Sequence, residues 1–341
     1  MSTIPTSLQG AVARAARPPD RRFWSARWYL PLLLLLLLAG LSLGEPRFLS
    51  SLNLLNLSRN VSYLAIASVG QMIVMILGGM DLSIGVVVAL SSVTTAIVMN
   101  LVAVWWPGYE LLAIAVAIGA ALTISGFVGF LNGLCVAKTG ASAFIVTLGA
   151  FSIVNGIAYY VTAGIPIYGM PASFTNGLGR GTAAGIPYSV FAAILLTIVI
   201  AAVQRRTRFG RYLYAIGGNP HAARISGLPV IRYTVFAYTL CSLLAGLTGV
   251  LLTARVGAGQ ANLGAEFMLQ SIAVAVVAGV SLRGGLGRVE IVFLSAVFIT
   301  VLANAMNLIR IDSKVQTIVF GVVLLAAVFL DRRKAKGNDH A

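Results

Sequence analysis

Ten apolar segments, most of them close to the length of a membrane-spanning helix, run through this chain of 341 residues. A helix needs about 20 apolar residues to cross the hydrocarbon core of a bilayer. Only 10% of the residues are charged, against about 25% in soluble domains, so the sequence predicts an all-α polytopic membrane protein with about ten transmembrane helices. The predicted spans are 29–44, 61–80, 82–101, 111–136, 142–163, 188–203, 233–253, 267–282, 289–309 and 315–330.

For two of these segments the sequence is compatible with something other than a membrane-spanning helix. Residues 29–44 are leucine-rich and follow a basic stretch, as in a signal peptide. The basic region at 14–27 is long, however, and residues 41–44 form a poor small-x-small cleavage site, so a retained helix is expected. The segment 267–282 is short for a span, and it either crosses the bilayer or re-enters it.

The distribution of basic residues predicts the orientation of the chain. With the N-terminus inside, 18 of the 24 Lys and Arg residues fall on one side of the membrane, which leaves 24 − 18 = 6 on the other. Basic loops stay in the cytoplasm, so both termini are predicted to be cytoplasmic. The net charge of +15 is thereby explained by topology and by the lipid surface, and nucleic acid is not an expected partner. The predicted division is a cytoplasmic tail at 1–28, a transmembrane domain at 29–331 that includes a cytoplasmic loop at 204–232, and a cytoplasmic tail at 332–341.

The stretch 207–230 of this loop is polar and basic, and it contains the signals of a short helix. Asn219 can cap a helix N-terminus, and Pro220 suits the first helical position. One or two turns then follow from His221 to Ser226, and Gly227 ends them. A helix of this length is marginal by itself, so the sequence predicts that it packs against a partner.

Neutral polar residues lie within the predicted spans, whereas the carboxylates fall at span ends. Carriers that are coupled to protons or sodium usually keep an ionisable group within the membrane, so this pattern disfavours a secondary carrier. Amides and hydroxyls can instead bind a neutral, polyhydroxylated solute. The alternative for each residue is a hydrogen bond to its own backbone or to a neighbouring helix. The candidates for a translocation path are Gln71, Asn132, Thr147, Asn155 and Asn304.

The sequence offers no catalytic or cofactor motif. The phosphate-binding pattern GxxxxGK[ST] does not occur, so any ATP that drives this protein is hydrolysed by another chain. Two histidines, His221 and His340, cannot form a metal cluster, and neither CxxC nor HExxH spacing is present. No metal site and no cofactor are therefore predicted in this chain.

Glycines indicate close helix packing and a local internal repeat. Gly129 and Gly133 have the GxxxG spacing that allows two membrane helices to approach closely. The segment GGMDLSIG at 78–85 partly repeats as AGVSLRGG at 278–285, each after an apolar run. Repeated, interrupted helices are common near the substrate path of transporters.

Four segments together resemble a known family. They are GGMDLSIG (78–85), NGLCVAKTGASAFIVTLGAFSIVNGIA (132–158), TRFGRYLYAIGGNPHAARISGLPV (207–230) and AVVAGVSLRGGLGRV (275–289). In this order they resemble the permease subunits of bacterial ribose/xylose/galactose-type ABC importers, from about residue 50 to 331. One departure lies at 267–273, where FMLQSIA replaces an acidic pattern like YELDAIA that many members carry.

The resemblance implies a type II ABC importer-like bundle in the bacterial inner membrane, working as a permease pair with a second copy or a paralogue. It also implies a cytoplasmic ABC ATPase that holds ATP and Mg, and a periplasmic sugar-binding protein that delivers a neutral pentose or hexose. Polyols, nucleosides and branched-chain amino acids are alternative substrates, and a secondary carrier or a non-transporting scaffold is an alternative class. The implied ATPase-coupling residues are Gly218, Asn219, Ala222, Ala223, Arg224 and Gly227.

Overall fold

The computed structural model describes residues 23–336 and is almost entirely helical over that range. Twelve α-helices follow one another within this part of the chain. They are α1 (Phe23–Gly44), α2 (Ser51–Ile76), α3 (Ile84–Trp105), α4 (Glu110–Thr139), α5 (Ala143–Thr162), α6 (Tyr188–Arg206), α7 (Arg208–Gly218), α8 (Pro220–Ile225), α9 (Val230–Val256), α10 (Phe267–Val277), α11 (Val289–Leu308) and α12 (Ser313–Lys336).

Each predicted span corresponds to one helix, which confirms the all-α polytopic class. Seven of the helices are long and apolar enough to cross a membrane, and the other three spans contain shorter apolar helices. The helix within 267–282 is α10, whose 11 residues cover only about 16 Å, roughly half of the hydrocarbon core. Residues 1–22 and 337–341 of the predicted tails lie outside the described range, and the placement of both tails stays a prediction.

Several predicted boundaries differ from the helix ends, and one differs by ten residues. The predicted span at 61–80 is the helix α2, which begins ten residues earlier at Ser51 and ends at Ile76. Arg59, which the predicted bounds place outside the span, therefore lies within this helix and is buried. Its guanidinium donates to the carbonyl oxygen of Arg180 at 2.9 Å, which satisfies part of the buried charge and allows the helix to continue through it.

The core of the bundle is built around α2. Its residues from Ser62 to Ile76 are all buried, and α6, α9, α10 and α11 pack around it. The helices α4 and α9 approach each other at the predicted GxxxG pair. A Cβ atom on Gly129 would lie 2.6 Å from the Cβ of Ser242, and one on Gly133 would lie 2.7 Å from the Cα of Val235. Only glycine fits at both positions, so the predicted role of this pair in helix packing is confirmed.

The two segments of the local internal repeat lie at helix ends that have the same geometry. After α2, the N–H of Gly78 donates to the carbonyl of Met75 and the next N–H donates to Val74. After α10, the N–H of Gly279 donates to Val276 and the next N–H donates to Ala275. Both glycines have a positive φ, so each helix ends in a Schellman motif. The structure thus equates Gly78 with Gly279, one residue out of register with the match in the sequence.

Between α5 and α6 the chain forms a small cap. A short π-helix covers Ser173–Gly179, and two short strands follow it, β1 (Thr182–Ala183) and β2 (Ile186–Pro187). The strands pair antiparallel, and the two turn residues between them both have a positive φ, as tight hairpins require. This cap packs on α9 at the end opposite to α7 and α8.

Candidate functional site

The predicted short helix is present as α8, and each of its expected signals contributes. The side chain of Asn219 accepts a hydrogen bond from the N–H of Ala222 at 2.9 Å, and Pro220 is the first helical residue. At the other end Gly227 has a φ of +79°. The N–H of Leu228 donates to the carbonyl of Ala223 at 3.0 Å, which completes a Schellman motif. The helix runs from Pro220 to Ile225, within one residue of the prediction.

A second helix in this loop was missed. The stretch after Thr207 forms α7, and the Thr207 hydroxyl caps it by accepting from the N–H of Gly210 at 3.3 Å. Three glycines lower its helix propensity, which hides it in the sequence. The glycines at 210 and 217 allow close backbone contacts, because a Cβ atom on either would overlap a neighbouring backbone carbonyl. Tertiary packing therefore stabilises a helix that propensity alone does not favour.

The exposed face of α8 is small, basic and apolar. Ala222 and Arg224 are exposed, and the large apolar side chain of Ile225 is 74% exposed. Gly218 and Asn219 at the start of the helix are exposed too. Ala223 differs from the other coupling candidates, because it is buried within this chain, with 5% of its surface accessible. It supports the helix from inside, while Ala222 and Ile225 are available to a partner.

The C-terminal end of α7 is joined to the membrane helices by backbone contacts, in what we call the joint. Gly217 packs on the carbonyl of Ile76 at the end of α2, and a Cβ atom on it would lie 2.7 Å from the N of Gly285. The N–H of Gly285 donates to the same carbonyl of Ile76 at 2.8 Å. Gly217 on α7 and Gly285 in the segment after α10 thus contact the same carbonyl oxygen at the end of α2.

A tyrosine strengthens the joint. The hydroxyl of Tyr214, on α7, donates to the carbonyl of Gly287 at 2.5 Å. Burial raises the pKa of Tyr214 to about 12, with a smaller contribution from the negative charge of Glu290. The hydroxyl consequently keeps its proton, and with it this hydrogen bond, throughout the physiological pH range.

Basic side chains surround the helix pair. Arg205 forms a salt bridge with Glu290, and the guanidinium of Arg288 lies 3.8 Å from the same carboxylate. Arg208, Arg211 and Arg224 are exposed, and none forms a salt bridge within residues 23–336. This surface is suited to a partner that presents carboxylates, since arginine forms two parallel hydrogen bonds with a carboxylate.

A polar cavity of about 230 Å³ lies at the other end of the bundle, between α2 and α10–α12. Its wall contains five amides, one tyrosine, one threonine and a single carboxylate. It contains no basic residue. Cavities that hold drug-sized ligands usually measure roughly 300–1,000 Å³, so this one suits a small polar solute. The polar lining residues are Asn60, Tyr63, Glu266, Gln270, Thr300, Asn304, Asn307 and Gln316.

The amides of the cavity are held by one another. Asn304 donates to the side-chain oxygen of Asn53 at 2.8 Å, and Asn53 donates back at 3.2 Å. Gln316 donates to Asn307 at 2.8 Å, and Gln270 donates to Glu266 at 3.2 Å. These bonds orient the groups, which favours recognition of a solute that can both donate and accept hydrogen bonds.

Only one of the five predicted path residues lines this cavity. That residue is Asn304. Gln71 is completely buried in the core, and neither its oxygen nor its nitrogen has a hydrogen-bond partner. Asn155 lies on α5 with part of its surface exposed. The path assignments remain predictions, and the structure brings Gln270, Asn307 and Gln316 together with Asn304 instead of the other four.

The two remaining candidates contact the break between α2 and α3. Asn132 donates to the hydroxyl of Ser83 at 3.0 Å, and that hydroxyl donates to the carboxylate of Asp81 at 2.6 Å. The hydroxyl of Thr147 lies 3.4 Å from the carbonyl of Met80. Asp81 lies between the end of α2 and the start of α3, as predicted for a carboxylate at a span end, and it is fully buried there. The chain turns back into the bundle after Gly78 and encloses it.

The sequence gave a partial signal for the missed cavity residues. Gln270 stands where the acidic pattern of the resembled family has its second carboxylate, and Asn307 follows Asn304 by three residues, on the same helix face. Gln316 and Asn60 have no distinguishing pattern of their own. Within residues 23–336 no group of three His, Cys, Asp or Glu side chains has the geometry of a metal site.

Three features together are those of a polytopic membrane permease. The bundle consists of membrane-crossing helices, a polar cavity lies at one end, and a helix pair joined to interrupted helices lies at the other. Comparison with known proteins agrees. A family described as "Branched-chain amino acid transport system / permease component" matches residues 53–328, and the chain belongs to this family. It is a multi-pass protein of the bacterial inner membrane.

Individual relatives cover nearly the whole chain. The ribose import permease protein RbsC of Escherichia coli K12 is 34% identical over 321 residues, covering 92% of this chain and 97% of that protein. RbsC of Bacillus subtilis 168 is 36% identical over 303 residues, covering 89% and 91%. The L-arabinose transport system permease protein AraH of E. coli K12 is 32% identical over 338 residues, covering 99% of each.

Proposed function

We propose that this chain is the permease subunit of an ATP-driven importer for a neutral monosaccharide. The observation that carries the substrate class is the wall of the polar cavity, which contains five amide residues, a tyrosine, a threonine and one carboxylate and no basic residue. A pentose or hexose presents several hydroxyls that match these groups. An amino acid would bring a carboxylate with no cation to bind it, and burying such a charge unpaired is costly. The relatives named for ribose and arabinose support the same class.

The proposed partners follow from the two ends of the bundle. A cytoplasmic ATPase holds ATP and Mg and docks on α8, whose exposed Ile225 and Arg224 offer an apolar and a basic contact. A periplasmic binding protein delivers the sugar to the cavity end, and a second permease copy or a paralogue completes the membrane unit. ATP-driven closure of the ATPase moves α8, and the joint transmits that motion to α2 and to the segment after α10.

Reconstituted transport tests the function. The permease, its ATPase and its binding protein are placed in proteoliposomes, and uptake of radiolabelled ribose, arabinose, xylose, galactose, leucine, a polyol and a nucleoside is measured. We expect uptake of a pentose or hexose that requires ATP hydrolysis and persists when an uncoupler removes the ion gradients. Uptake of leucine alone would identify an amino-acid permease. Uptake without ATP that collapses with the uncoupler would identify a secondary carrier, and no flux for any solute would indicate a scaffold.

Replacing Gln270 with Leu tests the cavity. The side chain lines the cavity and bonds only Glu266, so its loss removes polar contacts without opening a buried network. Losing a hydrogen bond to a solute costs about 0.5–1.5 kcal/mol, so we expect transport efficiency to fall roughly two- to twelve-fold. Unchanged efficiency for the transported sugar would place the path elsewhere.

Gln71→Leu provides the matched test of the predicted path in the core. Because the Gln71 amide has no partner in this structure, an apolar side chain of similar size is not expected to lower the melting temperature. A loss of uptake with unchanged melting temperature would therefore show that the amide meets the solute during transport, as predicted. Normal uptake would assign Gln71 to packing.

A further inference from the structure

A second, very different cavity opens on the side of the helix bundle, near α7. It is a groove of about 590 Å³ between the end of α6, the start of α7 and the first turns of α9. Its wall is almost wholly apolar and includes Ile200, Val203, Phe236 and Leu240. Phe236 is 54% exposed, and the neighbouring Ile198 and Val199 on α6 are exposed too. The groove therefore faces the lipid rather than the interior of the bundle.

Aromatic rings form one end of the groove. Phe209 stacks on Tyr233 with ring centroids 5.5 Å apart, and it meets Phe236 edge-on at 4.9 Å. Tyr212 packs edge-on against Tyr233 at 5.4 Å. Aromatic side chains are enriched where the hydrocarbon core meets the headgroups, so this end of the groove lies at the cytoplasmic interface.

Uncompensated positive charge lies at the same end. Arg232 is part of the groove wall, and Arg206 and Arg208 flank its residue Thr207 along the chain. All three arginines are exposed, and none forms a salt bridge in the described part of the chain. Their neighbour Arg205, by contrast, is neutralised by Glu290. An apolar groove that ends in unpaired arginines is complementary to an acyl chain that ends in an anionic headgroup.

We propose that this groove binds an anionic phospholipid, with an acyl chain along α6 and α9 and its phosphate at Arg232. A phosphate can form two parallel hydrogen bonds with a guanidinium. The lipid would contact Thr207 and Phe209, which begin α7. Because α7 leads to the joint, an anionic lipid in the groove holds the helix pair in the position that α8 needs for docking. The bilayer composition thereby sets the efficiency of coupling.

Lipid binding is measured on the assembled complex in nanodiscs. The nanodiscs contain phosphatidylglycerol and phosphatidylcholine at fixed ratios. Native mass spectrometry then counts the phosphatidylglycerol molecules that stay bound to the complex after its release into the gas phase. We expect retention of the anionic lipid, reduced about five-fold by Arg232→Gln, since one basic residue near a membrane surface contributes roughly 1 kcal/mol. The control is Lys138→Gln, an exposed basic residue at the end of α4 outside the groove, which is expected to retain the lipid.

A second variant separates the groove from the charge alone. Val203→Trp fills the apolar groove without changing any charge, and it is expected to lower retention as well. Stimulated ATP hydrolysis should rise with the phosphatidylglycerol fraction in the native complex and respond less in both variants. Equal retention of the two lipids, or equal retention by Arg232→Gln and the native complex, would overturn the proposal. So would a cross-link from Cys introduced at position 203 to a second permease copy, because that copy would then occupy the groove.

Discussion

Replacing Ile225 with Glu is expected to abolish ATP hydrolysis that is stimulated by the binding protein, while the permease still folds. Ile225 is 74% exposed at the end of α8, so the substitution disturbs little of the packing within this chain. In the proposed complex with the ATPase, the same side chain would be a buried apolar anchor. Removing such an anchor usually costs at least about 2 kcal/mol, or roughly thirty-fold in affinity, and a buried unpaired carboxylate adds to that cost.

The controls for this experiment use neighbouring positions. Ala222→Glu alters the same exposed face and is expected to have a similar effect. Ala141→Glu adds the same charge to an exposed residue of another predicted cytoplasmic loop and is expected to leave ATP hydrolysis stimulated. Ala223→Glu is unsuitable, because Ala223 is buried in this chain and the variant would disrupt α8 itself. Fully stimulated ATP hydrolysis in the Ile225 and Ala222 variants would show that α8 is not the docking site.

Replacing Gly217 with Ala is expected to uncouple ATP hydrolysis from transport. A methyl group at this position overlaps the carbonyl of Ile76 and crowds the N–H of Gly285. Both neighbours are backbone, so they cannot rotate away, and overpacking of this kind costs about 1–3 kcal/mol. That strain pushes α7 off the joint while α8 remains free to bind the ATPase. We therefore expect the complex to assemble and hydrolyse ATP, with sugar uptake per ATP lowered by about ten-fold.

The matched control is Gly119→Ala on α4. This glycine is also helical, and a Cβ atom on it would meet nothing within 4 Å, so the variant is expected to transport normally. Co-purification of the ATPase with the Gly217 variant shows whether assembly is intact. Uptake per ATP at the native level would contradict the role of the joint. Loss of the ATPase from the purified complex would mean that Gly217 acts through docking instead.

The helix α8 could be predicted because its signals are local. Asn219, Pro220 and Gly227 act on the backbone within a few residues of their own position, so their meaning does not depend on the rest of the fold. The side of α8 that faces the bundle could not be predicted in this way. A six-residue helix has too little periodicity to show that Ala223 faces inward and Ala222 outward.

The polar cavity, in contrast, could not be predicted from local signals. Gln270, Asn304 and Gln316 are distant in sequence, and they meet only because α10, α11 and α12 pack against one another. Position within a span made Gln71 a candidate, although it is buried in the core. Asp81 likewise sits between two apolar runs, and its burial depends on other helices, since the Ser83 hydroxyl that donates to it accepts from Asn132 on α4. Polarity within a span is therefore a weak guide to which helix faces meet.

Site-specific cross-linking tests the central claim most directly. A photo-reactive amino acid is introduced at position 225 of the permease in the assembled complex, and separately at position 141 as the control. On irradiation, position 225 is expected to form an adduct with the ATPase subunit, with a yield that changes between the ATP-bound and nucleotide-free states, while position 141 forms none. An adduct from position 141 and none from position 225 in either state would contradict the account, because the ATPase would then dock away from α8.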